Sequence, residues 1–276
     1  MNTEQELVGN SVTVDGKEIH FLETGAGMPT ILIHGSGAGA SGISNFRRNL
    51  QLAHRRRLII VDLPGYGRSP TREMPGGIFD AMAGWITGFM DQLSIPTANF
   101  VGNSLGGGIA VRIALNHPER VNRMVLMGCG GSLSVFSVFP TDGLLQMINF
   151  YDGEGPTREK LRAIMTKLVY DPSVITESLL QERLQVAMRP DVMANPPLRG
   201  RGYNPDDDLW RDELYRLSHE TLLVWGREDR IMPLDAAFPL LKLIRNSRLH
   251  VFPQCGHWAQ LEKADEFNTL VDDFLQ

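Results

Sequence analysis

The segment Gly102-Asn103-Ser104-Leu105-Gly106 follows the apolar run Ala98–Val101 and fits the pattern G-x-S-x-G. In that pattern a serine sits on a sharp turn from strand into helix, with its hydroxyl presented to a ligand. Side chains two positions before and after the serine would collide across such a turn, which accounts for Gly102 and Gly106. Gly107 and Gly108 then let the following helix lie close to the strand. The chemistry offered is nucleophilic attack by Ser104, with the helix N-terminus facing the developing negative charge.

A serine nucleophile needs a base, an acid to orient the base, and donors for an oxyanion. In chains with this turn the order is serine, acid, histidine. Of seven histidines, only His250 and His257 come late enough, and His250 lies inside a strand pattern. His257, in Gln254-Cys255-Gly256-His257-Trp258, is therefore the base. His20 is strand-bound, and His34 ends a buried strand and reads as structural. His117 precedes Pro118, and His54 and His219 read as surface residues. The acid belongs after the preceding strand, where Trp225-Gly226-Arg227-Glu228-Asp229-Arg230 supplies both Glu228 and Asp229; Asp206, Asp207 and Asp208 fall too early, in a solvated loop. One oxyanion donor is the N–H of Leu105, directly after the serine. The other is the N–H of Ser36 or Gly37, in the loop His34-Gly35-Ser36-Gly37-Ala38-Gly39.

Arg183 stands out in Ile175–Met188. At about 100° per residue this is an amphipathic helix. Ile175, Leu179, Leu180, Leu184, Val186 and Ala187 share one arc, and Arg183 falls near its middle. An inward guanidinium requires an anion. The wheel does not say whether a core carboxylate or a ligand supplies it, and the other reading is an arginine whose head snorkels to water.

The first loop also carries Gly35-x-Gly37-x-x-Ala40, a partial dinucleotide-binding fingerprint, with Asp62 ending the next strand. The loop continues as Ser41-Gly42-Ile43-Ser44-Asn45 instead of opening a helix at once, and a dinucleotide reading leaves Ser104, Asp229 and His257 unexplained. Phosphate-binding lysine motifs and metal spacings such as H-E-x-x-H or paired C-x-x-C are missing from the sequence, so the metal expectation is none.

These side chains must be held by a scaffold. Val12–Val14 and Ile19–Phe21 flank Asp15-Gly16, a hairpin signature. Six more apolar runs alternate with helical stretches: 30–34, 58–62, 98–103, 124–127, 221–225 and 249–252. That alternation predicts an α/β architecture with a mainly parallel, eight-stranded sheet flanked by helices. Residues 132–204 show no strand pattern and read as a helical lid inserted after strand 6, over the carboxyl edge where such sheets bind ligands. The core is then 1–131 and 205–276.

A net charge of −5, with no basic run beyond Arg55-Arg56-Arg57, argues against nucleic acid. That run reads as solvated ahead of a strand. The most apolar stretch, 124–139, is broken by glycines and serines and is too short for a bilayer. Two cysteines make no disulfide framework and, with a polar N-terminus, point to the cytoplasm.

Taken together, the chain resembles the meta-cleavage-product hydrolases, carbon–carbon bond hydrolases of the α/β-hydrolase fold that serve bacterial degradation of aromatic hydrocarbons such as biphenyl. The resemblance spans nearly the whole chain. It is carried by His34–Gly39 with Ser44-Asn45, by Gly102–Gly107, by Leu179-Leu180-Gln181-Glu182-Arg183, and most distinctively by Cys255-Gly256-His257-Trp258-Ala259-Gln260. It implies Asp229 as the acid of the triad. It implies that Arg183 takes the substrate carboxylate and that Asn45, Asn103 and Trp258 contact a dienoate. The implied substrate is a 2-hydroxy-6-oxohexa-2,4-dienoate, and the products are 2-hydroxypenta-2,4-dienoate and a carboxylic acid. No cofactor is implied, and a homodimer or larger homo-oligomer is. Phe136, Phe139, Met147, Ile148, Phe150, Met165 and Leu168 are candidates for an apolar lid pocket, which favours a 6-aryl substituent such as phenyl. Two other readings keep the same scaffold: a carboxylesterase or lactonase, and a non-enzymatic ligand-binding protein.

Overall fold

A computed structural model describes residues 7–74, 76–131, 136–137, 139–198, 207–209 and 212–276. The sequence-predicted lid boundaries at 132 and 204–205 lie outside the described residues. The first two strands, β1 (Val8–Val14) and β2 (Lys17–Thr24), form an antiparallel hairpin. Its turn is Asp15-Gly16, with φ of 50° and 74°. Two successive left-handed residues match the right-handed twist of the flanking strands.

β2 pairs antiparallel with β4 (Arg56–Val61), and every later pairing is parallel. The remaining strands are β3 (Met28–Ile33), β5 (Ala98–Asn103), β6 (Val121–Met127), β7 (Glu220–Gly226) and β8 (Ser247–Phe252). All eight form one sheet in the order β1-β2-β4-β3-β5-β6-β7-β8. The central strands are buried on both faces, so β3 and β4 end in the unbroken runs Ile31-Leu32-Ile33 and Leu58-Ile59-Ile60-Val61 instead of alternating. Most strands begin two or three residues before the apolar run does, because ladder pairing continues through polar residues such as Arg56, Arg57 and Glu220.

Helices cover both faces. α1 (Gly42–Phe46) carries a reciprocal Ser41/Ser44 capping box, α2 (Ile78–Gln92) and α3 (Leu105–Asn116) pack against each other, and α4 (Asp142–Ile148) to α7 (Pro190–Ala194) fall between β6 and β7. Of that group, α5 is Arg158–Leu168 and α6 is Glu177–Ala187, each capped by a threonine hydroxyl. α8 (Ala237–Leu243), α9 (Ala259–Glu262) and α10 (Ala264–Phe274) complete the set. Among the described residues, no helix is long and apolar enough to cross a membrane.

Two expectations are corrected here. Arg56 is 2% exposed, not solvated; its guanidinium pairs with the Asp272 carboxylate of α10 and donates to the Asp272 carbonyl at 3.0 Å. A charge inside β4 is tolerated because a partner from the last helix meets it there. Phe136 and Phe139 are 85% and 77% exposed, so neither lines an internal pocket.

Candidate active site

Ser104 occupies the turn between β5 and α3 with φ 53° and ψ −114°, a conformation that L residues rarely adopt. The neighbouring glycines are what permit it. A Cβ on Gly102 would lie 2.4 Å from the Gly106 carbonyl oxygen, and one on Gly106 would lie 2.1 Å from that of Ile33. Gly107 faces Cys129 at the end of β6, whereas Gly108 admits Phe79 of α2 and not a strand. The Ser104 N–H donates to Met127 at 2.8 Å, and its carbonyl accepts from Gly107, Gly108 and Gly130. The main chain is thus held from both sides of the strain.

His257 lies in the loop after β8, and Asp229 in the loop after β7. Both are buried, at 3% and 7% exposure, and His257 Nδ1 is 2.7 Å from Asp229 Oδ2. The other carboxylate oxygen accepts the N–H groups of Ile231 and Met232 at 2.8 and 2.9 Å, which fixes its aim. Glu228 turns elsewhere, accepting from the Cys255 N–H and pairing with Arg227. His257 Nε2 has no hydrogen-bond partner and faces the same cavity as Ser104.

That cavity lies between the carboxyl ends of the strands and the helices α4 to α6. Gly35, Ser36 and Gly37 line it from the loop after β3, with Asn45 from α1 and Asn103 and Ser104 from the end of β5. His257 and Trp258 close one side, and Met147, Leu168 and Arg183 form the roof. Leu105 opens α3, so its N–H belongs to the first turn, whose donors find no partner inside the helix. Tyr66 Oη donates to the Ser36 carbonyl at 3.1 Å and steadies the first loop.

Arg183 is 1% exposed. Its Nε donates to the Ala38 carbonyl at 3.0 Å, its guanidinium stacks 4.9 Å from the Trp258 ring, and Nη1 has no hydrogen-bond partner. Burial pulls its pKa down to about 10, yet it stays protonated at neutral pH. The buried Asn103 Oδ1 also lacks a partner, while its amide nitrogen reaches the Met127 and His257 carbonyls at 3.4 Å. Asn45 is held by the Ser41 carbonyl at 3.1 Å. The cavity therefore offers one permanent cation and a polar rim near a serine and an imidazole.

His34 is fully buried and sits outside the cavity lining. Its Nδ1 contacts the Gly35 carbonyl at 2.7 Å and its Nε2 accepts the Leu63 N–H at 3.1 Å, so it ties the first loop to the end of β4. Burial lowers its pKa to about 4. Asp62 is spent in the same way, accepting from Gly42, Arg68 and His20. This explains Asp62 without a ribose, even though α1 does open soon after the partial glycine fingerprint. Asp207 accepts from the Phe79 N–H at the start of α2, and Asp206 lies outside the described residues. Among the described residues, no group of three or more His, Cys, Asp or Glu side chains is placed to hold a metal ion.

One contributor escaped the sequence reading. Gly128, at φ 45°, backs the His257–Asp229 pair: a Cβ there would lie 2.7 Å from His257 Nδ1 and 3.1 Å from Asp229 Oδ2. The available signal was a glycine at the carboxyl end of β6, followed closely by Gly130 and Gly131.

Known proteins agree with this architecture. The alpha/beta hydrolase fold family matches residues 29–264. A 2-hydroxy-6-oxononadienedioate/2-hydroxy-6-oxononatrienedioate hydrolase of Paraburkholderia phymatum is 42% identical over 263 residues, covering 93% of this chain and 90% of the relative. A 2-hydroxy-6-oxo-6-phenylhexa-2,4-dienoate hydrolase of Comamonas testosteroni is 40% identical over 271 residues, covering 94% and 91%. A solved meta-cleavage product hydrolase from Pseudomonas fluorescens superposes with a TM-score of 0.82 at 34% identity, covering 97% of both chains. The chain belongs to the alpha/beta hydrolase fold family, among its meta-cleavage product hydrolases.

Proposed function

We propose that this chain hydrolyses the C5–C6 bond of a 2-hydroxy-6-oxohexa-2,4-dienoate, giving 2-hydroxypenta-2,4-dienoate and a carboxylic acid. One observation carries the reading: a buried guanidinium with an unpartnered nitrogen lines the same cavity as Ser104 and His257. A carboxylate at one end of the substrate supplies the anion that Arg183 lacks. The helices between β6 and β7 act as the lid, residues 132–204, over a core of 1–131 and 205–276.

Breaking a carbon–carbon bond requires a stabilised leaving carbanion. Protonation at C5 converts the dienol to a keto form, so that C5 later departs as a dienolate conjugated to the C2 carbonyl. Arg183, Asn45, Asn103 and Trp258 orient the carboxylate and 2-oxo end for that step. Ser104 then attacks C6 while its proton passes to His257, which Asp229 holds and stabilises as imidazolium. The C6 oxyanion sits on the N–H of Leu105 and that of Ser36 or Gly37. C5–C6 cleavage leaves an acyl group on Ser104, the imidazolium returns its proton to the departing dienolate to give the 2-hydroxy product, and a water deprotonated by the now neutral His257 releases the second acid.

The two named relatives act on substrates with different 6-substituents, and the chain is similarly identical to both. Among the described residues lining the cavity, Arg183 is the one permanent cation, and Met147 and Leu168 are apolar. These features support an uncharged 6-substituent such as phenyl over one ending in a second carboxylate. The test is loss of visible absorbance for 6-phenyl, 6-methyl and 6-(2-carboxyethyl) dienoates. No turnover of any member sinks the reading; a preference for carboxyethyl sinks the choice of substituent. Two buried free cysteines suit a reducing cytoplasm, and a homodimer or larger assembly is the working oligomeric state.

A further inference from the structure

The loop that carries His257 is suspended by its own N–H groups, and the residues holding it come from the loop after β7, from α5 and from α9. The Cys255 N–H donates to Glu228 Oε2 at 3.0 Å, and the Gly256 N–H to Glu262 Oε2 at 2.7 Å. The His257 and Trp258 N–H groups both donate to the Leu168 carbonyl, at 2.8 and 3.2 Å. Leu168 is the last residue of α5, so its carbonyl is one of those a helix end leaves without an internal partner. The exchange also runs the other way. Just past that helix end, the Tyr170 and Asp171 N–H groups donate to Glu262 Oε1 at 2.7 and 3.0 Å.

Glu262 thus accepts three backbone N–H groups, two from the lid side and one from the residue before His257. It is half-buried, and burial raises its carboxyl pKa while the N–H groups of Asp171, Gly256 and Tyr170 and the charge of Lys263 pull it back. Neither oxygen touches the cavity, and an exposed carboxylate would serve solubility as well. Its placement accomplishes something different: one side chain fixes the separation between the end of α5 and the histidine loop. We propose that Glu262 is a positioning residue for His257, clamping the lid to the catalytic loop so that seating α5 and aligning the imidazole are a single event. This rests on the assignment of His257 as the base.

The test compares wild type with Glu262→Gln and Glu262→Asp. Glutamine keeps the shape but offers one acceptor oxygen and an NH₂ where two acceptors are needed. Two readings are taken. The first is the downfield proton resonance of His257 Nδ1–H, identified by its loss in Asp229→Asn. The second is kcat and KM on a 6-phenyl dienoate. Glu262→Gln is expected to shift or broaden the resonance and to lower kcat by roughly 10- to 100-fold, the scale of a lost charge-assisted hydrogen bond, with KM changed less than about threefold. Glu262→Asp, which restores the charge, should recover part of both.

An unaltered resonance together with kcat within twofold of wild type overturns the proposal. So does a kcat loss in Glu262→Gln with the resonance unaltered, since the histidine is then not what moved. If Glu262→Gln does not fold by circular dichroism, the same two readings on Glu262→Asp decide. The resonance needs no turnover, so a wild type inactive on dienoates would sink the substrate reading while leaving the Glu262 comparison intact.

Discussion

Replacing Arg183 by methionine separates what the guanidinium does for the fold from what it does for the substrate. Methionine keeps an unbranched stem and packs well against an aromatic ring such as Trp258. In the ligand-free protein the charge is expensive: burial takes its pKa down to about 10, equivalent to roughly 3 kcal/mol. Against this stand the hydrogen bond to Ala38 at 3.0 Å and the cation–π contact at 4.9 Å, each worth about 1–2 kcal/mol in a desolvated site. The two sides nearly cancel. Arg183→Met should therefore leave the unfolding free energy within about 1.5 kcal/mol of wild type, small for a change at a fully buried position. With a substrate carboxylate present the balance becomes one-sided. Losing one partner of a buried charge pair costs about 2 to 5 kcal/mol, or roughly 30- to 4,000-fold in kcat/KM. An uncharged p-nitrophenyl ester has no carboxylate to lose. The assays are urea unfolding, dienoate absorbance and ester turnover, run on the same preparation. Equal losses on dienoate and ester would refute the carboxylate assignment. A stability loss above about 3 kcal/mol would show that the charge is paired within the fold.

Asp229→Asn keeps the shape of the carboxylate but destabilises the imidazolium and favours the wrong tautomer; kcat should fall about 10⁴-fold, the scale seen for that change in serine proteases, with KM little altered in steady-state kinetics. His34 folds as a neutral group with its pKa lowered to about 4 from 6.5. The unfolded chain takes up that proton first, so its contribution to stability is present above pH 6.5 and is lost as the pH falls from 6.5 towards 4. That loss amounts to roughly 3 kcal/mol. Urea midpoints across that window should flatten in His34→Gln, whose amide still meets the Leu63 N–H; an unchanged slope would remove His34 as the cause. Gly128→Ala inserts a methyl 2.7 Å from His257 Nδ1 at a φ of 45°, so a melting temperature lower by several degrees and a kcat reduced at least tenfold are expected.

Much of the scaffold was legible because its signals are local. Asp15-Gly16 specifies the hairpin, and the doubly buried ends of β3 and β4 write themselves as unbroken Ile, Leu and Val. The glycines at 102 and 106 declare a crowded turn from spacing alone, and the helical wheel turns Arg183 inward. The illegible parts depend on contacts between distant segments. Arg56 belongs to an apparently solvated basic run, and only Asp272, 216 residues later, explains its burial. Phe136 and Phe139 resemble pocket residues by composition, yet composition does not say which way a side chain faces. Choosing between Glu228 and Asp229 required geometry or a family pattern, because adjacent acids on one loop differ only in where they point. Gly128 and Glu262 act through main-chain spacing, which has no side-chain signature in a single sequence.

The left-handed turn at Ser104 has an implication for engineering. Its conformation is one that glycine adopts freely and serine only under strain, of order 1 kcal/mol or more. Glycine at that position should make a more heat-resistant protein. A search for thermostable variants that scores survival without turnover would therefore drift towards discarding the hydroxyl, so any such campaign on this scaffold has to select for turnover and endurance together.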